Sequence, residues 1–408
     1  MTRNRVTLAL PAAVVLLSGC GVAAAGTART TTDSLVVAKP STMESAPTLG
    51  SLPRRVFAPV PAVAPTAPAA PSTPPPAADV VTTVATGGVD EWLEIVSHSG
   101  VVVARTEINP TLGWMTAAGT GGAYWTQSGA EYELSPSGAV RKLGPVPGDA
   151  AGVLIGPDGQ SYAYATSDQP TSGLITNRIV LVRPGMASVT IADRVDNPNR
   201  PTADAPPSWD YYLINWTSSG IAFARVPTGG CGCGSFDMQM QSAYSASINP
   251  VTDAVTALTA DQSCPLSAVG PGMATVCFTG TTSTTGLRVS SGGVVRHNFA
   301  MSGANVAGDA VFSPAGTSVA YVTIPAAEDT CGGQWTSTLR VLNLATGTAV
   351  TRALGEFSPA VWAADGLIYG SIATNGGASA SLVAVNPATL AVTPLGPATT
   401  GEQFVGMM

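Results

Sequence analysis

From about Val89 onward, the chain alternates short apolar runs with turns that are rich in Gly, Pro, Asn and Asp. One form recurs, in which a turn of the Pro-Asp-Gly kind precedes an apolar run of three to five residues. Its copies are Gly156–Ala165, Ser218–Ala224, Ser313–Val322 and Ala363–Tyr369. Such a turn supplies a glycine with positive φ that reverses one strand into the next. The pattern therefore predicts antiparallel hairpins.

A second hairpin follows the first at a distance, as in Ala246–Leu258, Leu339–Leu354 and Leu382–Leu395. The resulting four-strand units begin near residues 113, 151, 212, 264, 306 and 357, at spacings of 38 to 61 residues. Four strands at such a period are typical of a propeller blade. We therefore predict an all-β fold, a β-propeller of six or seven four-stranded blades.

Closure of the ring is predicted to use both ends of this region. Trp92–Val96 and Val101–Ala104 form a strand pair ahead of the first blade, and Gln403–Met407 is expected to add an innermost strand beside that pair. A composite blade of this kind would remove the exposed sheet edges.

The repeated form Ser-Pro-Asp/Ala-Gly-x-x-x-Ala-Tyr-Val resembles the TolB-like, WD-repeat-like propellers of bacterial envelope proteins. The resemblance covers most of residues 110–396. It implies the fold and carries no information about chemistry.

The amino terminus has the pattern of an export signal, with Arg3 and Arg5 before an apolar run from Val6 to Leu17. Leu17-Ser-Gly-Cys20 resembles the lipobox of bacterial lipoproteins. This resemblance implies removal of residues 1–19, lipidation of Cys20 and a lipid-anchored protein on the extracytoplasmic face of the cell membrane. The alternative is an ordinary cleaved signal with an incidental cysteine.

Residues 20–86 are rich in Pro, Ala and Thr and show little hydrophobic periodicity. Such a segment cannot bury enough apolar surface to fold, and its prolines favour extended conformations. We interpret it as a disordered tether for a propeller domain of residues 87–408; the alternative is an unconstrained tail.

Composition narrows the class of partner. Charged residues make up 11% of the chain and the net charge is −7, which argues against nucleic acid and against electrostatic docking on anionic lipid. We expect a monomer that is attached to the membrane through its lipid and binds a protein or a cell-wall glycan. We expect no cofactor and no metal.

Five cysteines remain when Cys20 is set aside. The turn at residues 270–272 lies midway between Cys264 and Cys277, so a hairpin centred there would place them opposite each other, within disulfide range. A competing scheme joins Cys264 to Cys231 or Cys233.

Two long loops, residues 227–237 and 325–335, are predicted to join the second and third strands of the third and fifth blades, on one face of the disc. Three arrangements of their cysteines stay open. Cys331 bridges to Cys231 or Cys233, or Cys231 pairs with Cys233 and leaves Cys331 free, or the group binds zinc or copper. The last is disfavoured because Cys-x-Cys lacks the usual ligand spacing and no histidine is near.

Candidate binding residues cluster on the predicted loop face and in the connector that ends at residue 212. They are Trp209, Tyr211, Phe236, Asp237, Glu328, Asp329 and Trp335. Aromatic residues in long loops are favoured interface anchors. The alternative is that the connector aromatics pack between the second and third blades, which we favour for Tyr212.

Catalytic patterns are weak. The two histidines, His98 and His297, lie in strand-like or turn segments, and we assign them structural roles. Asp158 and Asp365 are assigned to turns. We assign no catalytic residue; the sequence favours a binding or scaffolding module of the cell envelope. The alternative is a carbohydrate-active hydrolase or lyase that uses acids at the channel mouth, among them Asp237, Glu328 and Asp329. A transport-type binding protein is disfavoured because its two-lobed α/β pattern is absent.

Overall fold

The computed structural model describes residues 80–407 apart from segments 87–89, 98, 109–115, 120, 149, 169–174, 197–208, 228–243, 253, 260–263, 281–282, 302–303, 329–334, 375–378, 396–398 and 401–402. The described residues form 28 strands and one 3₁₀ turn, Pro271–Met273. Within these residues there is no helix of the length and apolar character that a membrane span requires.

Three four-stranded antiparallel sheets form the first to third blades. Their strands are β4 (Thr116–Gly119), β5 (Gly122–Gln127), β6 (Ala130–Leu134) and β7 (Val140–Pro145) in the first; β8 (Ala150–Ile155), β9 (Tyr162–Asp168), β10 (Ile175–Val182) and β11 (Val189–Asp196) in the second; β12 (Trp209–Thr217), β13 (Gly220–Pro227), β14 (Tyr244–Ile248) and β15 (Val255–Thr259) in the third.

The fourth blade is a separate sheet, and the fifth and sixth blades share one eight-stranded sheet. Their strands are β16 (Leu266–Val269), β17 (Thr275–Thr279), β18 (Gly286–Ser291) and β19 (Val294–Ala300) in the fourth; β20 (Asn305–Phe312), β21 (Ser318–Pro325), β22 (Ser337–Asn343) and the first half of β23 (Ala349–Trp362) in the fifth; the second half of β23, β24 (Ile368–Thr374), β25 (Ser379–Val385), β26 (Val392–Pro394) and β27 (Thr399–Thr400) in the sixth.

Strand β23 belongs to two blades because it bends. Residues 349–355 pair with β22 and residues 356–362 pair with β24. At the junction, Gly355 has φ +71°, a conformation that glycine adopts without steric cost. The chain thus passes from the outer edge of the fifth blade to the inner edge of the sixth without a loop.

A closing blade combines both ends of the described chain, in the order β28 (Gln403–Met407), β1 (Val80–Thr86), β2 (Asp90–Val96) and β3 (Val102–Ile108). The strand from the carboxyl end therefore pairs with β1, and not with the Trp92–Val96 strand as expected. Residues 80–86, which the sequence analysis placed in the tether, form a strand because Val and Thr dominate them and strands flank them on both sides.

The first strands of the sheets lie next to one another in a closed ring: β28, β4, β8, β12, β16, β20 and β23. The described chain is therefore a β-propeller, with seven four-stranded units when the eight-stranded sheet is divided at β23. The predicted unit starts fall within a few residues of these first strands.

The core lies between neighbouring sheets. Between the second and third blades, for example, Ile179 and Leu181 pack with Tyr211 and Phe223. Each fully buried side chain of this size stabilises the fold by about 1.5–3 kcal/mol.

The predicted turn roles of two acids are confirmed. Asp158 Oδ1 accepts hydrogen bonds from the N–H groups of Gln160 and Ser161, at 3.0 and 2.8 Å. Asp365 Oδ1 accepts the N–H of Leu367 at 2.9 Å, and its Oδ2 accepts the hydroxyl of Tyr369 at 2.6 Å.

A candidate binding site in the central channel

The innermost strands of the third to sixth blades each carry a β-bulge. Pairing with the second strand skips Ile214 in β12, Ser267 in β16 and Ala360 in β23. In β20 it skips two residues, Asp309 and Ala310. Bulges re-aim side chains and leave backbone groups unpaired in the sheet, so these strands present irregular, partly polar surface to the channel.

Polar contacts at the level of the bulges join each inner strand to the next. The Asn215 side-chain amide donates to the Val269 carbonyl at 3.3 Å, from the third blade to the fourth. The Ala310 N–H donates to Ser267 Oγ at 3.2 Å, from the fifth to the fourth. Ser358 Oγ donates to Asp309 Oδ2 at 2.8 Å, from the sixth to the fifth. These bonds fix the four strands relative to one another.

A cavity of about 570 Å³ lies between the four strands. Its lining contains no charged side chain among the described residues. Aromatic and proline side chains line the end near the turns between first and second strands, where Phe312, Pro314, Trp362 and Pro271 are found. Tyr212 lines the opposite end.

The aromatic mouth is held in place by two local features. Trp362 Nε1 donates to the Gly366 carbonyl at 3.1 Å, which fixes the orientation of the indole. Gly270 backs directly onto Phe312, because a Cβ at residue 270 would lie 2.4 Å from the phenyl ring. Only glycine permits this close approach of backbone and ring.

Tyr212 and Asp309 interact electrostatically although their blades are not neighbours in the ring. Tyr212 belongs to the third blade and Asp309 to the fifth, so the fourth blade separates their strands along the ring. Burial, and after it the negative charge of Asp309, raises the pKa of the Tyr212 phenol. Asp309 has φ +50°, a left-handed conformation that is uncommon for a residue other than glycine and that clusters at functional sites.

The cavity lies at the end of the propeller where strand β1 begins. Val80, the first residue of β1, pairs with Met407, the last residue of the inner strand β28. The inner strands of equivalent blades run in the same direction, so Met407 lies at the same end of the channel as Thr217 and Trp362, which line the cavity.

The structure assigns several predicted binding residues to other places. Tyr211 is 6% exposed and packs edge-on against Phe223 at 5.2 Å, so it forms part of the core and not of a binding surface. Tyr212, expected to pack between blades, is 46% exposed and lines the cavity. Alternation along β12 explains the reversal, because neighbouring residues point to opposite faces of a strand.

The loop-face residues that are described lie at the other end of the disc from the cavity. Glu328 follows β21 and accepts the N–H of Thr336 at 2.9 Å. Trp335 is half-buried and packs against the core between the fifth and sixth blades. Trp209, the first residue of β12, pairs through its backbone with Pro227, the last residue of β13. The other predictions lie outside the described residues: Cys20, Cys231, Cys233, Phe236, Asp237, Asp329, Cys331 and His98.

The remaining cysteine and histidine predictions concern described residues. Cys264 and Cys277 are brought together as a pair with Cα atoms 5.1 Å apart. His297 stacks on Phe299 in the outer strand β19, with ring centroids 5.8 Å apart. No group of three His, Cys, Asp or Glu side chains in the described part of the chain could hold a metal ion.

Sequence reasoning missed the cavity and Asp309. The available signal was an acid within the otherwise apolar run Val306–Phe312. The bulge in the inner strand β20 places this carboxylate beside Ser358 of the next inner strand.

No family model matches the chain, and no curated protein matches it. Solved structures of similar fold do exist. The shared architecture is the β-propeller. One is a protein assigned as TolB from Agrobacterium tumefaciens, at 16% identity and a TM-score of 0.39, over 71% of this chain and 95% of that one.

Two others carry the names of enzymes. An oligogalacturonate lyase from Vibrio parahaemolyticus is 11% identical, with a TM-score of 0.47 over 78% of this chain and 85% of its own. A periplasmic gluconolactonase from Pseudomonas aeruginosa is 10% identical, with a TM-score of 0.46 over 81% and 99%. These likenesses concern the fold and favour neither binding nor catalysis.

Proposed function

We propose that the protein is an extracytoplasmic lipoprotein of the cell membrane, anchored through Cys20, whose propeller binds a partner in the cell envelope. The Leu-Ser-Gly-Cys pattern at residues 17–20 supports the anchor. A single attached acyl chain holds a protein only weakly, whereas two or more give stable anchoring.

The observation that carries the binding role is the channel cavity. Its volume of about 570 Å³ falls within the range of small-molecule sites, about 300–1,000 Å³, and such sites are mostly apolar with a few placed polar groups. The hydrogen bonds from Asn215, Ala310 and Ser358 fix the strands that line the cavity in the protein without ligand. A preformed site loses little free energy to ordering on binding.

The partner is proposed to be a protein segment or a cell-wall glycan that enters the channel, and the protein is proposed to act as a monomer. The propeller closes through β1 and β28, so its inner strands surround the channel and its sheets end at outer strands such as β3 and β7. Strand addition at the inner ring is therefore unavailable to a second copy.

Asp309 favours one alternative, a carbohydrate-active hydrolase or lyase. Its left-handed backbone in the bulge of β20 is of a kind that clusters at functional sites. Carboxylate-pair catalysis requires a second acid within about 5–10 Å of the first. The described acid from the predicted set, Glu328, lies at the opposite end of the disc. Loss of glycan cleavage in Asp309→Asn, with partner capture retained, would support the enzyme.

The binding role is tested by filling the cavity. Ala360 lines the cavity and its side chain is exposed to the channel, so Ala360→Trp should occupy the space without disturbing the core. Ala139→Trp, in the exposed turn between β6 and β7, is the matched control. The two variants and the wild type are used as membrane-anchored baits in crosslinking capture from the cells that produce the protein.

We expect wild type and Ala139→Trp to capture the same defined partner, and Ala360→Trp to lose it while its thermal unfolding midpoint stays unchanged. Retention of the partner by Ala360→Trp would show that the partner does not bind in the cavity. Release of all three proteins into the soluble fraction would instead contradict the anchor, with Cys20→Ala as the reference for an unanchored chain.

A further inference from the structure

Exposed apolar side chains are concentrated at one level of the propeller. Twelve large apolar side chains are exposed in the described part of the chain. All but Tyr212 lie in the turn between the third and fourth strands of a blade or at the first two residues of the fourth, outer strand. They belong to six of the seven blades. We call these eleven residues the apolar rim: Val101, Val102, Val103, Val140, Met186, Val189, Val251, Val255, Val294, Val295 and Val350.

The apolar rim lies at the end of the disc where strand β1 begins. The strands of each blade are antiparallel, so the turn between the first and second strands and the turn between the third and fourth strands share one end. In the closing blade, the turn at residues 97–101 shares that end with the pair formed by Val80 and Met407. The chain that leads back to Cys20 therefore joins the propeller at the end that carries the rim.

Strand propensity alone does not explain this distribution. Valine is common in strands, but edge strands of natural sheets are usually protected by charged side chains or proline. A general preference for valine would also act along the whole outer strand. In the described residues, the second halves of the outer strands carry no exposed large apolar side chain. Exposed apolar residues that cluster in this way mark a surface that contacts a protein or a membrane.

The charge at this level favours an anionic partner. Within the described third-to-fourth-strand turns and the first four residues of the outer strands, every charged side chain is basic. These side chains are Arg105, Arg141, Lys142, Arg183, Arg296 and Arg352.

The acids near this end are engaged in local contacts. Glu133 accepts a hydrogen bond from Arg141 Nε at 2.8 Å, and Glu94 lies opposite Arg105 in the closing blade. Asp158 and Asp365 each accept hydrogen bonds from their own turns. Lys142 and Arg296 are exposed beside rim valines of the first and fourth blades. The rim thus combines exposed apolar groups with positive charge, as a surface that contacts anionic lipid does.

We propose that the apolar rim docks the propeller on the surface of the bilayer that holds Cys20, with the valines among the headgroups and the rim bases on anionic phosphates. The inference rests on the proposed anchor and does not depend on what the cavity binds. A protein that is already attached meets the bilayer at high effective concentration, so weak contacts suffice for docking. The net charge of −7 opposes approach to anionic lipid as a whole, and the uneven distribution of charge selects this end.

The test measures which end of the anchored protein contacts lipid. The whole lipoprotein is reconstituted into vesicles of phosphatidylcholine and phosphatidylglycerol in equal parts, prepared with and without bromine on the acyl chains. A fluorescent amino acid replaces either Val251, which is 83% exposed in the rim, or Glu328 at the opposite end. Bromine quenches only a fluorophore that contacts the lipid. We expect strong quenching at position 251 and none at position 328.

Two kinds of variant separate the apolar and the charged contributions. Val294→Asp with Val295→Asp should abolish quenching at position 251, whereas Thr336→Asp, exposed at the opposite end, should leave it unchanged. Lys142→Gln and Arg296→Gln should each lower the ratio of docked to undocked protein by about fivefold. Vesicles of phosphatidylcholine alone should dock wild type less and remove the difference between these two variants and wild type.

Flotation of the same vesicles distinguishes failure of the docking from failure of the anchor. Wild type that floats with the vesicles but is unquenched at position 251 overturns the inference and leaves the anchor intact. Equal quenching at positions 251 and 328 also overturns it, because the contact is then not specific to the rim. A dimer that Val294→Asp with Val295→Asp dissociates, without quenching, overturns it in favour of a second copy. Wild type that does not float contradicts the anchor and the docking together.

Discussion

At the scale of single residues, the carboxyl group of Glu131 is buried in an environment that disfavours its charged form. It is 1% exposed, and its Oε2 atom has no hydrogen-bond partner within the described residues. It lies on β6 opposite Gly144, where the Tyr162 hydroxyl of the next blade approaches. Burial raises the pKa of Glu131 well above its ordinary value, so the protonated form is favoured in the fold.

The direction of the pH effect follows from this shift. A carboxyl whose pKa is raised by folding stabilises the folded state fully below its unfolded pKa, about 4.5 here. That contribution is lost as the pH rises through the folded-state pKa. Each pKa unit of difference corresponds to about 1.4 kcal/mol.

We therefore expect Glu131→Gln, which cannot ionise, to lose less stability than wild type as the pH rises from about 4 to about 8. Urea unfolding at several pH values measures the difference, and Glu107→Gln on the exposed face of β3 serves as control. Parallel stability curves for wild type and Glu131→Gln would contradict the assignment of a buried, protonated carboxyl.

Residue-scale features were only partly predictable from the sequence. The turn roles of Asp158 and Asp365 follow from local chemistry, because an aspartate side chain caps its own turn. The opposite directions of Tyr211 and Tyr212 do not follow from local chemistry. Which face of a strand is buried depends on the strands and sheets that pack against it.

At the scale of elements, the hairpin of β16 and β17 carries the cysteine pair that the sequence predicted from its central turn. Leu266 pairs with Cys277, and Cys264 lies just before β16 with its side chain fully buried. The two cysteines are 13 residues apart. Closing a loop of about this length with a disulfide lowers the entropy of the unfolded chain and stabilises by roughly 3 kcal/mol.

We expect the oxidised protein to show no reactive thiol at either position. The double variant Cys264→Ala with Cys277→Ala should unfold at a lower urea concentration, because its free energy of unfolding is smaller by about 3 kcal/mol. Wild type under reducing conditions should approach the double variant. Labelling of both cysteines by a thiol reagent in the unreduced, unfolded chain would show that the pair is not bonded.

Element boundaries were predictable where turn residues mark them, and less so where they do not. The starts of six units were located within a few residues because Pro, Gly and Asp mark the hairpins. The strand Val80–Thr86 was missed because it follows a long Pro/Ala-rich segment and because one of its two partners, β28, lies at the far end of the chain. The bulges of the inner strands leave no distinct signal in a single sequence.

At the scale of the whole molecule, the repeat pattern predicted the propeller, while the site depends on ring closure. Tyr212, Phe312 and Trp362 are separated by many residues in the chain and meet only because the inner strands of four blades line one cavity. No local motif encodes such a meeting. The long loops that suggested a binding face in the sequence lie at the other end of the disc.

Site-specific photocrosslinking in cells that produce the protein tests whether the channel cavity is the binding site. A photoreactive amino acid is placed at Ala360 in the cavity, at Glu328 on the loop face and at Ala139 in an exposed turn, one position at a time. We predict a defined adduct from position 360 that is missing from the other two. An adduct from position 328, with none from position 360, would contradict the channel cavity as the binding site and would indicate that the partner binds at the long loops.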